Sequence, residues 1–337
     1  MTSSKPRIDP IAVNRKFKRL ALNTIITLFC LIVAGGVVRS TGAGMGCPDW
    51  PKCFGSWIPP TEVSQLPLDY KEIYGAKLKG EIEFNPVKTW IEYVNRLIGA
   101  FTGFMILLTL IASIPYLKLG IGSMFYYSLS AFVLVGIQGW LGSKVVSTEL
   151  HPVMITIHML LAIVIVFVML YVYTRAVYLD KDFKADFENS KLLSSVGILV
   201  LICSLFQILL GTQVRETIDE AVKALGYGAR DKWVDTLGLN FYVHRSFSII
   251  VAGINLWWFY RIMQDSKSVE VIRKSVTWCL VIIAAEVVTG IVMAYFGVPA
   301  FAQPIHLTFG IGLISLQFII WMLVNGRKFF GDRKLEA

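Results

Sequence analysis

Charge is what this sequence lacks most. Asp, Glu, Lys and Arg make up 16% of its 337 residues, where a soluble domain carries about a quarter. That deficit excludes an ordinary water-soluble globule. Nucleic-acid binding is excluded as well, because the net charge of +9 gathers in no basic patch interleaved with aromatics. Histidine is nearly absent, with four copies, and cysteine is limited to five. Cys30, Cys203 and Cys279 lie inside apolar runs and read as packing residues. Cys47 and Cys53, in "TGAGMGCPDWPKCFGSW", make a C-x5-C pair with no further Cys or His beside it, which is a poor zinc signature. A disulfide, two free thiols and half a metal site stay open for this pair, the first favoured by an oxidising compartment. A cleavable leader is not expected either. A long Lys- and Arg-rich segment precedes the first apolar run, so that run reads as a retained span.

What fills the chain instead is hydrophobic sequence, 55% of the residues. Apolar runs occur at approximately 18–38, 91–114, 121–143, 153–174, 192–213, 241–262, 275–296 and 303–325. Each has the roughly 20 residues that cross a hydrocarbon layer of about 30 Å. An even number of spans puts both termini on one side. The termini and the loops near 115–120, 175–191 and 263–274 hold most of the Lys and Arg, although the opposite loops are longer in total. By the positive-inside rule the termini are cytoplasmic.

The eight runs are two copies of four. "EYVNRLIG" (Glu92–Gly99) reads as "FYVHRSFS" (Phe241–Ser248), with Asn95 where the second copy has His244. "QGWLGSKV" (Gln138–Val145) resembles "EVVTGIVM" (Glu286–Met293), and His158 matches His306. "GGVVRST" (Gly35–Thr41) resembles "GTQVRET" (Gly211–Thr217), which pairs Arg39 with Arg215. Both copies start on the same side, so they are related by an axis along the membrane normal. The expected fold is an all-α integral membrane protein whose eight transmembrane helices form two pseudo-symmetric four-helix bundles. The expected division is an N-terminal half at 1–175, a cytoplasmic linker at 176–191 and a C-terminal half at 192–337.

The repeat also marks a level. Asn95, His158, His244 and His306 each fall near the outer start of an even-numbered span, within about 9 Å of depth at 1.5 Å per residue. Coordinating residues inside spans are costly and functional by default. The residue four positions on is small each time: Gly99, Ala162, Ser248 and Gly310. Residues i and i+4 share a helix face, so each candidate ligand has a cleared flank; close helix packing asks for the same small residues. Two facing imidazoles, His244 and His306, suit six-coordinate haem better than zinc, which wants further ligands nearby. Arg39, Arg96, Arg215 and Arg245 stand at the outer ends of spans. They suit either the propionates of such a group or interfacial anchoring by snorkelling.

The halves differ where it matters. The first keeps His158 but offers Asn95, a poor iron ligand, so a porphyrin there is held from one side. Glu92, a carboxylate within the apolar run, lies three residues before Asn95 on the same face, where the second half has Phe241. One half reads as a saturated electron-carrying site and the other as an open, reactive one. His151 lies seven residues before His158, either as a relay or as a loop histidine ahead of Pro152.

With those residues in place the sequence resembles the haem A synthases. The resemblance covers nearly the whole chain through "GGVVRSTGAGMGCPDWPKCFG", "WIEYVNRLIGAFTG", "VMITIHMLLA", "GTQVRET", "FYVHRSFS" and "PIHLTFG". It implies a bacterial inner-membrane enzyme with its sites in the outer leaflet, acting in cytochrome oxidase assembly. Haem b would sit on His244 and His306 with Arg215 and Arg245 nearby. Haem O would be the substrate, in the half that holds His158, Asn95, Arg39 and Arg96, with Glu92 as the functional carboxylate. Cys47 and Cys53 match the outer-loop cysteines of the family members that have them. The implied reaction is two successive hydroxylations of a ring methyl and loss of water to an aldehyde, with electrons arriving through the second-half haem. The family pattern is E-x-x-H-R, and the Asn95 departure puts two-histidine ligation of the substrate in doubt. The implied partners are a haem O synthase, an electron donor that no motif identifies, and the lipid bilayer; self-association into a homo-oligomer is left open. The rival readings are a membrane haem carrier and an electron-transfer cytochrome b.

Overall fold

The computed structural model describes residues 9–75, 84–180, 187, 190–265 and 269–331. Eight helices in it are long and apolar enough to cross a membrane: α1 (Pro10–Ser40), α2 (Pro86–Ser113), α3 (Gly122–Ser147), α4 (Pro152–Asp180), α5 (Ser190–Leu225), α6 (Leu239–Gln264), α7 (Glu270–Tyr295) and α8 (Ala302–Val324). They match the eight apolar runs one for one and make the chain a multi-pass integral membrane protein. Most run past the apolar stretch, because backbone hydrogen bonding continues through polar flanks once a helix is nucleated. Proline opens α1, α2 and α4, where its missing N–H costs nothing. Asp9 caps α1 through Ile11 and Ala12, and Asn85 caps α2 through Lys88. Half of the expected linker at 176–191 lies outside the described residues, while 176–180 continue α4 and 190–191 open α5.

Helices α1 to α4 pack in a ring, α1 on α2, α2 on α3, α3 on α4 and α4 back on α1; α5 to α8 close a second ring in the same order. This is compatible with the expected pair of four-helix bundles. Helix α8 is the main contact between the rings, lying against α1 and α4. The approach to α1 is close: a Cβ on Gly36 would stand 2.8 Å from Pro304 Cβ. Against α4, Phe318 stacks on Phe167 with centroids 4.4 Å apart.

The two rings are tied at the end remote from the histidines by buried polar bonds. In the first, Asn14 donates to the Ala176 carbonyl at 3.0 Å and accepts from the Tyr116 hydroxyl at 2.6 Å. In the second, Gln317 donates to Asn255 at 2.8 Å, and Trp258 donates to the Leu193 carbonyl at 2.9 Å. Each bond satisfies a buried group that would otherwise be destabilising in an apolar surround.

The first outer loop is a folded unit on α2. Cys47 and Cys53 are disulfide-bonded, and with Phe54, Leu66 and Tyr70 they form their own small core. The segment after α5 folds back as short turns at Tyr227–Ala229, Arg230–Trp233 and Val234–Thr236. Trp233, 1% exposed, packs there with Ile218, Ala221 and Val298. The 216–240 stretch is therefore a continuation of α5 plus a packed cap over the α7–α8 turn.

Candidate functional site

Each odd-numbered helix carries a glycine at the height of the key residue on the next helix. A Cβ on Gly35 would lie 3.9 Å from Asn95 Oδ1, and one on Gly142 would lie 3.5 Å from His158 Cε1. One on Gly211 would lie 3.3 Å from His244 Cε1, and one on Gly290 would lie 3.8 Å from His306 Cε1. The relationship recurs in all four hairpins, α1–α2, α3–α4, α5–α6 and α7–α8. The repeat is thus finer than two halves of four: one helical hairpin is used four times, with a glycine on its first arm leaving room for a side chain on its second. The small residues one turn further on belong to the same contact. Leu31 reaches the place of a Cβ on Gly99 at 3.8 Å, and Glu286 that on Gly310 at 3.9 Å. Close packing therefore accounts for these two.

The residue four before each glycine meets the key residue or its backbone in three hairpins. Gln138 donates to the His158 carbonyl at 3.0 Å. Gln207 donates to the His244 carbonyl at 3.1 Å and stands 3.2 Å from its Nδ1. Glu286 Oε2 stands 3.0 Å from His306 Nδ1. None of the three was singled out by sequence reasoning as a site residue. The available signal was a polar residue four before a glycine inside an apolar run.

His244 and His306 are brought together, with ring centroids 6.5 Å apart and planes at 71°. Their Nδ1 atoms are engaged from behind, His244 by Gln207 and His306 by Glu286 and Thr289, the latter at 2.9 Å. For His306 that leaves Nε2 as the nitrogen for a metal, as in ligating histidines generally; for His244 the same role requires the Gln207 amide turned so that its unpartnered Oε1 accepts from Nδ1–H. Among the described residues no three His, Cys, Asp or Glu side chains converge. A two-imidazole set with room between the rings fits a haem iron, which brings its four equatorial nitrogens with it, and does not fit zinc.

In the first half His158 Nδ1, Asn95 Oδ1 and Gln138 Oε1 are buried without a hydrogen-bond partner. Three orphaned polar atoms at one level are a departure from the usual satisfaction of buried groups, and they fit a site built for a polar or metal-bearing ligand. Beside Asn95 an open apolar groove runs along the surface between α1 and α2, lined by Ala34, Val37, Trp90, Ile91 and Val94. Asn95 sits nine residues into α2, deeper in its helix than the other three key residues, because α2 begins at Pro86.

Glu92, 4% exposed, is committed to the first outer loop. It accepts from the Cys47 N–H at 2.8 Å and pairs with Arg96 one turn on. Arg96 also donates to the carbonyls of Asp49 at 2.7 Å, Lys52 at 3.0 Å and Cys47 at 2.9 Å. Its guanidinium carries the loop, a different task from the propionate contact expected of it. Arg39 and Arg215, one from each half, share Asp219 at 3.0 and 2.6 Å, and Arg215 also donates to Gln303 and the Arg39 carbonyl. Asp219, which the sequence did not suggest, makes this a junction of two cations and one anion between the rings. Arg245 is exposed, with no ion pair among the described residues. His151 is exposed at the turn before α4, where its backbone carbonyl accepts from the Ile155 N–H.

Comparison with known proteins identifies the family. The family model COX15-CtaA, described as cytochrome oxidase assembly protein, matches residues 18–318. A heme A synthase of Shewanella oneidensis is 27% identical over 194 residues, 56% of this chain and 53% of that protein, so the chain spans about half the length of that relative. Heme A synthases of Orientia tsutsugamushi (strain Boryong) and Rickettsia africae are matched nearly end to end. The first is 23% identical over 346 residues, 91% of this chain and 95% of the relative. The second is 25% identical over 335 residues, 88% and 94%.

Proposed function

The chain belongs to the COX15-CtaA family of cytochrome oxidase assembly proteins, and on that footing we propose that it is a haem A synthase, a membrane oxidoreductase that converts a ring methyl of haem O to a formyl group. The observation that carries the reading is the facing pair His244 and His306, set 6.5 Å apart while their counterparts in the first half are an asparagine and a histidine with orphaned polar atoms.

In this reading the C-terminal half, 192–337, holds haem b on His244 and His306. When bound, that group supplies one-electron transfer toward the substrate. Gln207, Glu286 and Thr289 hold the two rings from behind, and the acceptors Glu286 and Thr289 fix which nitrogen of His306 faces inward. The N-terminal half, 1–175, holds haem O as substrate through His158. Asn95, a poor iron ligand, leaves the opposite side free. Arg39 and Arg215 present net positive charge at the junction, where propionates would compete with Asp219 for the guanidiniums.

With dioxygen as the oxidant, each turn would place one oxygen atom in a C–H bond of the methyl and release the other as water with two donor electrons and two protons; two such turns would give a geminal diol that loses water to the aldehyde. Glu92 stands one turn nearer the start of α2 than Asn95. With hydrogen bonds already on both oxygens, it suits a fixed negative charge that stabilises positive charge developing on the substrate carbon better than a mobile proton relay. The setting is a bacterial inner membrane, with termini cytoplasmic, both sites in the outer leaflet and the disulfide loop above them. Haem O synthase supplies the substrate, and an external donor supplies electrons.

Pigment extraction after co-expression with a haem O-producing enzyme tests the proposal. Haem A in the wild type and its loss on Glu92→Ala are expected. Unchanged haem O and haem B would instead mark a carrier or an electron-transfer cytochrome.

A further inference from the structure

The two imidazoles that face each other are backed by different chemistry. Behind His244 stands a neutral amide, Gln207, with its nitrogen 3.2 Å from Nδ1. Behind His306 stands a carboxylate, Glu286, with Oε2 3.0 Å from Nδ1. Thr289 Oγ1 is 2.9 Å from the same nitrogen. The Thr289 hydroxyl donates to the Ala285 carbonyl at 2.8 Å, so towards the ring it is an acceptor. With two acceptors before it, Nδ1 carries the proton and Nε2 presents its lone pair. The hairpin repeat sharpens the contrast. The place four before the glycine holds Leu31, Gln138, Gln207 and Glu286 in turn, and the α7–α8 hairpin alone has an acid there.

We propose that Glu286 is a positioning residue that makes His306 the stronger of two unequal axial ligands and thereby holds the haem b at a lower reduction potential than two amide-backed histidines would give. The inference rests on the reading of His244 and His306 as the haem b ligands. A carboxylate that accepts the Nδ1 proton raises the electron-donating strength of the ring, and its charge favours the ferric state. Hydrogen bonding behind an axial ligand is one of the levers that set a haem potential. Glu286 is on α7 with its carboxyl oxygen at hydrogen-bond distance from His306 Nδ1, so its effect passes through that ring.

The test is a redox titration of the full-length protein, purified with its haem, alongside the low-spin ferric electron paramagnetic resonance signal. Glu286→Gln keeps the size of the side chain and removes the charge. It is expected to leave the low-spin signal present but displaced, and to shift the ferric–ferrous balance about tenfold toward the ferrous form, a rise of about 59 mV for one electron. Gln207→Glu in the same protein should reverse the shift by moving the charge behind the opposite ring, a rescue that a merely structural Glu286 does not allow. If Glu286→Gln does not retain haem, Gln207→Glu alone must lower the wild-type potential. An unmoved potential in a haem-loaded variant overturns this inference and leaves the functional reading standing. A wild-type protein with no low-spin haem overturns both.

Discussion

The Arg96 guanidinium lies against the Glu92 carboxylate one helical turn away, and together they fasten the first outer loop to α2. Both side chains are nearly buried, 14% and 5% exposed. Arg96→Ala strips Glu92 of its charge partner and leaves three loop carbonyls without a donor. Breaking a buried pair from one side destabilises by about 3–5 kcal/mol. Arg96→Met with Glu92→Gln is expected to cost less than Arg96→Ala alone. A double-mutant cycle on thermal unfolding in detergent checks it; additive losses would show that the two residues act separately.

The disulfide closes a short loop that the Arg96 fork also holds. Joining Cys47 to Cys53, six residues on, removes unfolded-state freedom equivalent to about 2 kcal/mol. Cys47→Ser with Cys53→Ser is therefore expected to lower stability by that order while Arg96 and Glu92 keep the loop on α2. Protease nicking between residues 48 and 52 reports the loosening. Equal nicking rates in wild type and variant would contradict it.

The glycine opposite each key residue yields a graded expectation. A Cβ at Gly211 falls 3.3 Å from His244, tighter than ordinary contact, whereas at Gly290 it falls 3.8 Å from His306. Turning a ring off its preferred rotamer costs about 0.5–1.5 kcal/mol. Gly211→Ala should therefore lower the haem-to-protein ratio several-fold, and Gly290→Ala should change it little. The pyridine haemochrome assay on purified protein measures both. The reverse order would mean that the close approach of α5 to His244 does not position the ring.

At the junction, Asp219 neutralises one of two arginines that come from different halves. All three side chains are partly exposed, 27% for Arg39, 18% for Arg215 and 36% for Asp219, so solvent screening limits the contribution to about 1 kcal/mol or less. Asp219→Asn is expected to lower the melting temperature slightly at low salt, and the difference should shrink as salt rises. A large, salt-independent loss would point to a packing role instead.

The spans were legible in the sequence because hydrophobic length is a property of contiguous residues. The level of Asn95, His158, His244 and His306 was legible because the repeat aligned them. The partners behind those residues were not. Glu286 stood in plain view, aligned with Gln138 in "EVVTGIVM", yet its use depends on α7 lying against α8 with Gly290 facing His306. Asp219 and the Arg96 contacts to Cys47, Asp49 and Lys52 depend on how a loop and a second half fold back. Spacing along one helix does not encode such contacts. Arg96 looked free for a propionate because a sequence shows a guanidinium and not the carbonyls it has already taken.

Unequal iron binding by the two halves is read by spin quantification with electron paramagnetic resonance on purified protein carrying both porphyrins. One low-spin, two-histidine ferric centre per chain is expected, lost on His306→Ala and kept on His158→Ala, with the other centre not of that type. Two equivalent low-spin centres, or loss of the low-spin signal on His158→Ala, would contradict it.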